Sequence, residues 1–207
     1  ILVDIAVLRS LSIRVVLVHG ASAQIKTLAA AQGITSSNLD GTGVTDEATL
    51  RLALTAANRL PHEVLEGLSA IDLRAACTNA VIAHPVGILH GVDQLFTGKV
   101  ERVDVEMLQQ LLDHGIVPVL PPLGFDGEGK TYRVNSDGVA LAVAEALKAT
   151  KLMFITTYDG IRVGDHVIRQ MPVSDLESVL TLQRMDVQPD MLSKAIHAAA
   201  ACKAGVP

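Results

Sequence analysis

Aromatic residues and cysteines are scarce in this 207-residue sequence. It has no tryptophan, and 2% of its residues are aromatic although 49% are hydrophobic. The core must therefore be built from alanine, valine, leucine and isoleucine, a composition that favours helices covering a largely parallel sheet over an all-β sandwich. The two cysteines, Cys77 and Cys202, are far apart and have no partner at metal-ligand spacing. This indicates two reduced thiols.

No run of lysine and arginine occurs, and the formal net charge is -5. This balance argues against a nucleic acid or a membrane surface as partner, although a few local donors can still hold a small anion. No HExxH or other paired ligand pattern of histidines is present, so we expect no protein-held transition metal. The uncharged stretch Ala75–Val92 is interrupted by polar residues, proline and glycine, and predicts no membrane span. We expect a cytoplasmic protein, unless a targeting signal precedes Ile1.

Apolar runs predict three buried strands, at Arg14–His19, Ile116–Leu120 and Leu152–Thr156. Their uninterrupted apolar character, with helical patterns between them, is typical of parallel strands covered on both faces. We expect all three to be neighbours in one sheet. The fold predicted from this alternation is an α/β three-layer αβα sandwich with a mainly parallel sheet.

Helix boundaries are predicted from capping residues and proline. Thr45 is the expected N-cap of a helix that runs to about Asn58, and Pro61 is expected to begin a second, short helix. Ser136 is the expected cap of a long alanine-rich helix that reaches about Ala149.

Two hairpins are predicted from their turn residues. Asp126-Gly127-Glu128-Gly129 is a hairpin-type turn that leads into a strand, and Gly164-Asp165 is expected to turn a second, small hairpin.

A boundary near Thr150 is expected to separate an N-terminal lobe, residues 1–150, from a C-terminal lobe, residues 151–207. The sequence opens in a helical pattern and closes on a helix stop, so we expect both ends to be truncated.

The turn Gly20-Ala21-Ser22 joins a predicted strand to a predicted helix. Amide groups at a helix start favour an anion, and small residues let a phosphate or carboxylate approach the backbone. The alternative is a tight connection without a ligand. The spacing matches neither GxxxxGK[ST] nor GxGxxG, which excludes Walker and Rossmann interpretations.

Three further segments carry residues suited to phosphoryl transfer. Asn135-Ser136-Asp137 begins a helix, either as a simple N-cap with an acidic first turn or as a carboxylate that organises lysines around a phosphoryl group. Lys194 lies early in the last helix and is otherwise an exposed surface residue. Thr157–Gly160 follows the third strand, at the edge where nucleotides bind in open α/β sheets, or is a plain turn.

Several segments, taken in order, carry a family resemblance. They are Val18–Gly20 with Gln24–Ile25, Gly43–Asp46, Pro85–Gly87 with Gly91–Asp93, Thr97–Val100, Gly115–Gly124, Asn135–Asp137, Lys151–Leu152 with Asp159–Ile161, and Met191–Lys194. This ordered set resembles the amino-acid kinase family and, within it, the branch that makes or phosphorylates N-acetyl-L-glutamate. The resemblance covers nearly the whole chain.

The resemblance implies a carbamate-kinase-like fold with an N-terminal substrate or effector lobe and a C-terminal nucleotide lobe. The function it favours is the kinase-like domain of an N-acetylglutamate synthase, with arginine as effector and a homo-oligomeric assembly. The acetyl-CoA site would then belong to a second domain outside this chain. The alternative is an N-acetylglutamate kinase using ATP and Mg²⁺, and a second alternative is a non-catalytic pseudo-kinase module.

The resemblance also assigns roles to residues. If the chain is kinase-active, Lys194 would neutralise developing charge and Asp137 would hold the lysines in place, so we expect their side chains within roughly 10 Å across a common cleft. The other assignments are phosphate-binding Gly20, Ala21 and Ser22, substrate-side Gly43, Arg133 and Asn135, and nucleotide-side Thr157, Tyr158, Asp159 and Gly160.

Four positions depart from the kinase pattern. Ala21 and Ser22 stand where the kinase has glycines, and their Cβ atoms are expected to hinder phosphate. Gly43 stands where an arginine would bind the substrate carboxylate. Arg133 stands in place of an asparagine and is the alternative source of positive charge, from the opposite wall of the cleft. These departures favour the synthase interpretation.

Overall fold

The computed structural model describes residues 1–38, 41–163, 166–182, 187 and 189–207. The chain divides into two compact units, Ile1–Val139 and Ala140–Pro207. This division lies inside a helix, earlier than the boundary expected at Thr150. The substrate and nucleotide roles given to the two lobes stay predictions.

The first unit contains most of the strands. Its helices are α1 (Leu2–Ser10), α2 (Ser22–Gln32), α3 (Glu47–Ser69), α4 (Val105–Asp113) and the start of α5 (Ser136–Ala146). Its strands are β1 (Leu17–Val18), β2 (Ala75–Cys77), β3 (Val81–Pro85), β4 (Ile88–Leu89), β5 (Val92–Asp93), β6 (Gly98–Val103), β7 (Val117–Leu120), β8 (Leu123–Phe125) and β9 (Thr131–Arg133).

The strands β1, β7 and β2 form a parallel sheet in that order. Leu17 is paired with Val119, and Ala75 with Val117. All four residues of β7 are buried, as a central strand covered on both faces requires. The prediction that the strands near Val15 and Val117 are parallel neighbours is confirmed.

A second sheet has the order β6-β3-β8-β9. Its inner pair β3 and β8 is parallel, and the pairs β3–β6 and β8–β9 are antiparallel. The turn between β8 and β9 begins at Asp126, whose Oδ1 accepts from the backbone N–H groups of Glu128 and Lys130 at 2.9 and 2.8 Å. The predicted hairpin at this turn is confirmed.

Helices pack against the parallel sheet through aliphatic side chains. Ile5 of α1 and Leu68 of α3 form one buried cluster with Val117 of β7. A second cluster joins α2 to α3 and consists of Ala21, Ile25, Ala29, Leu52, Ala53 and Ala56. The core is aliphatic, as the shortage of aromatic residues predicts.

Two predictions about α3 are wrong. The helix is continuous through Pro61, which is itself buried, because core-facing residues on both sides of the proline hold one apolar face against the core and outweigh the lost backbone hydrogen bond. Thr45 is not the N-cap. Asp46 is, since its Oδ1 accepts from the N–H of Thr49 at 2.7 Å, whereas Thr45 is fully buried.

The second unit consists of the rest of α5, a β-hairpin and two helices. These are β10 (Ile161–Val163), β11 (His166–Ile168), α6 (Val173–Leu182) and α7 (Pro189–Lys203). The strands β10 and β11 are antiparallel, and the predicted turn residues Gly164 and Asp165 lie outside the described residues. Leu176 packs with Ala195 and Ala199 between α6 and α7.

The prediction of a third parallel strand at Leu152–Thr156 is wrong. This segment belongs to no sheet in the part of the chain that the structure describes. Met153 and Ile155 are 62% and 59% exposed, and the N–H of Leu152 donates to the carbonyl of Pro207 at 2.8 Å. Strand-like residues form a strand only where a neighbouring strand pairs with them, and β7 has such a neighbour on each side.

No helix among the described residues is long and apolar enough to cross a membrane.

Candidate functional site

The predicted anion-binding turn connects β1 to α2. The N–H of His19 donates to the carbonyl of Leu120 at 3.1 Å and so extends the pairing with β7 beyond Val18. Helix α2 then begins at Ser22, with Ala21 as an N-cap that makes no side-chain hydrogen bond. Amides in the first turn of a helix have no acceptor within the helix and favour an anion. The turn therefore joins a strand to a helix as predicted, and its role in binding an anion stays a prediction.

The two side chains that replace glycines in this turn differ in direction. Ala21 is 3% exposed and belongs to the core cluster between α2 and α3, whereas Ser22 is exposed. The methyl group of Ala21 is therefore taken up by the core. The expectation that both Cβ atoms hinder a phosphate is wrong for Ala21, because its methyl group packs against α2 and α3.

The first turn of α5 lies beside this turn. A Cβ atom on Gly20 would lie 3.3 Å from the Oγ of Ser136. The cap of α5 is Asn135, not Ser136 as predicted, because its Oδ1 accepts from the N–H of Gly138 at 3.0 Å. Asp137 is 7% exposed. The structure thus brings Gly20 and the Asn135–Asp137 segment together although they are distant in sequence.

The substrate side predicted at Gly43 contacts the same region. Gly41, at a φ of +80°, leaves room for the backbone of Val134, because a Cβ atom there would lie 3.0 Å from the Val134 carbonyl oxygen. The carbonyl of Gly43 accepts from the Oγ1 of Thr97 at 2.6 Å and from the Nδ2 of Asn38 at 3.0 Å. Sequence reasoning missed Asn38, which belongs to no recognisable pattern. It gave Thr97 no role, although Thr97 stands in a segment that carries the family resemblance.

Arg133 lies inside the wall of this region. Its side chain is 2% exposed, and its Nη1 donates to the carbonyl and the Oδ1 of Asn38 at 2.8 and 3.0 Å. A buried guanidinium with such contacts fixes the backbone around it. The role predicted for Arg133, as a source of positive charge for a substrate, stays a prediction.

His19 is buried at the end of β1. Its Nδ1 lies 3.0 Å from the carbonyl oxygen of Gly20, and its Nε2 has no hydrogen-bond partner among the described residues. A carbonyl oxygen only accepts, so Nδ1 carries the proton of the neutral ring and Nε2 is a buried acceptor. Removal from water is the main cause that lowers the pKa of His19 below its ordinary value of 6.5.

We predict that this histidine makes the protein less stable in mild acid. Because the folded pKa is depressed, the unfolded chain binds more protons below pH 6.5, so the free energy of unfolding falls as the pH drops toward the folded pKa. The slope is at most about 1.4 kcal/mol per pH unit. Urea unfolding at pH 7.5, 6.5 and 5.5 measures it, and His19→Asn should flatten the profile.

Exposed His90 provides the matched control, because His90→Asn removes a histidine from the surface. Its unfolding profile should keep the wild-type slope. A His19→Asn profile as steep as that of His90→Asn would contradict the assignment of the acid sensitivity to His19.

In the second unit, the turn at Thr157–Gly160 lies near the start of α7. The Oγ1 of Thr156 donates to the Sδ of Met191 at 3.6 Å and accepts from the N–H of Tyr158 at 3.3 Å. The Nζ of Lys194 lies 6.0 Å from the centroid of the Phe154 ring, at the limit of a cation–π contact. These residues form a cluster of candidate site residues within the second unit.

Each unit thus holds part of the predicted site. The first contains Gly20, Gly43 and the Arg133–Asp137 segment, and the second contains Thr157–Gly160 and Lys194. The separation between Asp137 and Lys194, and the catalytic and nucleotide roles, stay predictions. Among the described residues, no three His, Cys, Asp or Glu side chains are grouped so that they could hold a metal ion.

Comparison with known proteins gives one consistent result. The amino acid kinase family model matches residues 1–207. The amino-acid acetyltransferase of Vibrio cholerae serotype O1 is 33% identical, over 100% of this chain and 50% of its own length. The chain spans about half the length of the curated relatives it matches.

Solved structures agree with the sequence comparison. N-acetylglutamate synthase from Neisseria gonorrhoeae complexed with coenzyme A and N-acetyl-glutamate has a TM-score of 0.88 and 31% identity, over 99% of this chain and 48% of that one. The same enzyme complexed with coenzyme A and L-arginine has a TM-score of 0.85 and 30% identity, over 99% and 50%. This chain therefore has the fold of about half of the gonococcal enzyme's chain.

Proposed function

This chain belongs to the amino acid kinase family, and on that premise we propose that it is the kinase-like domain of an N-acetylglutamate synthase. The whole protein would transfer the acetyl group of acetyl-CoA to the amino group of L-glutamate, at the start of arginine biosynthesis. The acetyl-transfer site would lie in a part of the protein outside this chain.

One observation carries this proposal. The chain aligns over its full length with only one half of the amino-acid acetyltransferases, at 33% identity for the Vibrio cholerae enzyme. A chain that matches one half of an acetyltransferase from end to end is best explained as the corresponding half of an enzyme of the same kind.

The geometry of the first unit supports a domain that binds or regulates without phosphorylating. Gly43 has no side chain to bind a substrate carboxylate, and the nearby guanidinium of Arg133 is buried against Asn38. Phosphoryl transfer depends on charge placed around the reacting group. The arrangement on the Gly43 side is therefore better suited to a structural or effector role.

Arginine is the effector that we propose for this domain. A gonococcal synthase has been solved with coenzyme A and L-arginine, and a product of a pathway is a natural regulator of its first step. A homo-oligomeric assembly and a cytoplasmic location complete the proposal. ATP and Mg²⁺ would be needed only if the chain proved to be kinase-active.

The experiment uses the full-length protein with acetyl-CoA and L-glutamate, and follows the release of coenzyme A. We expect turnover between about 1 and 1,000 per second, as for ordinary metabolic enzymes. L-arginine should change the rate by at least about fivefold, the lower range of allosteric coupling. D-arginine at equal concentration is the control for charge and ionic strength.

Two results would overturn the proposal. One is the absence of acetyl transfer to glutamate in a folded full-length protein. The other is ATP-dependent phosphorylation of N-acetyl-L-glutamate at an ordinary metabolic rate. Acetyl transfer at a rate that does not change with L-arginine would contradict the effector role alone.

A further inference from the structure

We propose that Asn38 is a positioning residue for the substrate side of the site. Its side chain contacts the segment that carries Gly43 and, at the same time, the guanidinium of Arg133. The proposal rests on the proposed function only in naming this the substrate side. The contacts of Asn38 belong to the folded chain and do not depend on the proposed function.

The amide of Asn38 divides its contacts between its two ends. Its Nδ2 donates to the carbonyls of Gly43 and Val44 at 3.0 and 2.6 Å and lies 3.0 Å from the Oγ1 of Thr45. Its Oδ1 accepts from the N–H of Gly41 at 2.8 Å and from Arg133 at 3.0 Å. One side chain therefore satisfies backbone groups of Gly41, Gly43 and Val44 in an irregular part of the chain.

The residues around Asn38 explain why its contacts are strong. Thr45, Thr97 and Arg133 are 0%, 3% and 2% exposed, so water cannot easily replace a broken hydrogen bond among them. The Oγ1 of Thr97 also lies 2.8 Å from that of Thr45. In such surroundings an unpaired polar group costs more than the bond itself contributes.

Asn38 also connects two parts of the site. Arg133 immediately precedes the Val134–Asn135 backbone against which Gly41 packs, and Asn135 caps α5. Through Arg133, Asn38 therefore fixes the Gly43 segment relative to the first turn of α5. Loss of its amide should loosen this segment selectively, while the core between α2 and α3 stays folded.

Residue-resolved hydrogen–deuterium exchange on the full-length protein tests this proposal with two variants. Asn38→Ala removes both ends of the side-chain amide. The N–H of Gly41 loses its acceptor, and the segment of Thr45, whose own N–H donates to the carbonyl of Gln94 at 3.4 Å, loses its contacts with Asn38. Both backbone amides should therefore exchange about tenfold faster. Asn38→Asp keeps an acceptor for Gly41 and Arg133 but sets a carboxylate against the Gly43 and Val44 carbonyls. In this variant Thr45 should exchange about tenfold faster, and Gly41 should stay within about threefold of wild type.

Asn58→Asp is the matched control, because Asn58 is exposed on α3, and it should leave both amides unchanged. Faster exchange throughout α3 in step with Thr45 would reduce Asn38 to a contributor to global stability and overturn the proposal. Equal acceleration of Gly41 and Thr45 in Asn38→Asp, or none, would overturn it too. Exchange does not depend on catalysis, so a lack of acetyl transfer would count against the proposed function alone.

Discussion

Full-length protein incubated with ATP, Mg²⁺ and N-acetyl-L-glutamate is expected to release ADP poorly or not at all. Gly43 offers no charge where the family resemblance places a substrate-binding arginine, and a lost charge-assisted hydrogen bond costs about 1.5–3 kcal/mol. Converted to rate, this is a loss of roughly 10- to 160-fold in substrate capture. Of the two Cβ atoms in the Gly20 turn, that of Ser22 is left to hinder a phosphate, since Ala21 is buried in the core.

A coupled assay of ATP turnover measures this, with acetyl-CoA and glutamate assayed beside it on the same preparation. The prediction fails if the charge of Arg133 reaches a bound substrate, because it would then replace the charge that Gly43 does not offer. Phosphorylation at an ordinary metabolic rate that Lys194→Ala abolishes would identify a kinase. Turnover that survives Lys194→Ala would indicate a contaminating ATPase.

Gly124→Ala is expected to be the most destabilising single substitution proposed for the first unit. A Cβ atom at Gly124 would lie 2.4 Å from the Cβ of Ala83 and 3.3 Å from the Cγ1 of Val81. The Cβ of Ala83 is fixed to the backbone of β3, so no rotation of a side chain relieves the contact, and the two strands must separate. Overpacking of this kind costs about 3 kcal/mol. Urea unfolding measures the change.

Gly127→Ala is the control for this substitution. Gly127 lies in the turn between β8 and β9, and a Cβ atom there meets nothing within 4 Å. Its free energy of unfolding should stay within about 0.5 kcal/mol of wild type. If Gly124→Ala proves as stable as Gly127→Ala, β3 and β8 do not approach each other as closely as the structure shows.

The elements that the sequence predicts correctly are those whose conformation depends mainly on their own residues and little on tertiary contacts. The strand β7 and the Asp126 turn were predicted because buried valines and a short Asp-Gly turn have few alternatives. The predictions of a helix start at Pro61 and of a strand at Leu152–Thr156 are wrong because tertiary contacts determine the conformation of both segments. A buried face carries α3 through its proline, and the strand-like segment near Met153 has no neighbour with which to pair.

The candidate site was predictable to a similar degree. Glycines and an acidic helix start indicated Gly20 and Asp137 from local sequence. Asn38 gave no such indication, and the segment of the family resemblance that contains Thr97 assigns it no role. The contacts of Asn38 with Arg133 and of Thr97 with Gly43 join segments far apart in the chain. The burial of Arg133 runs against the tendency of arginine to be exposed, so nothing in its sequence position predicts it.

The order of strands in the parallel sheet also bears on how the chain is made. Strands β1 and β2 do not pair with each other, and each pairs with β7, where Leu17 meets Val119 and Ala75 meets Val117. More than half of the 207 residues must therefore leave the ribosome before the sheet has its middle strand. Until then, the apolar strands β1 and β2 have no partner strand. At this stage the nascent chain most needs protection by chaperones.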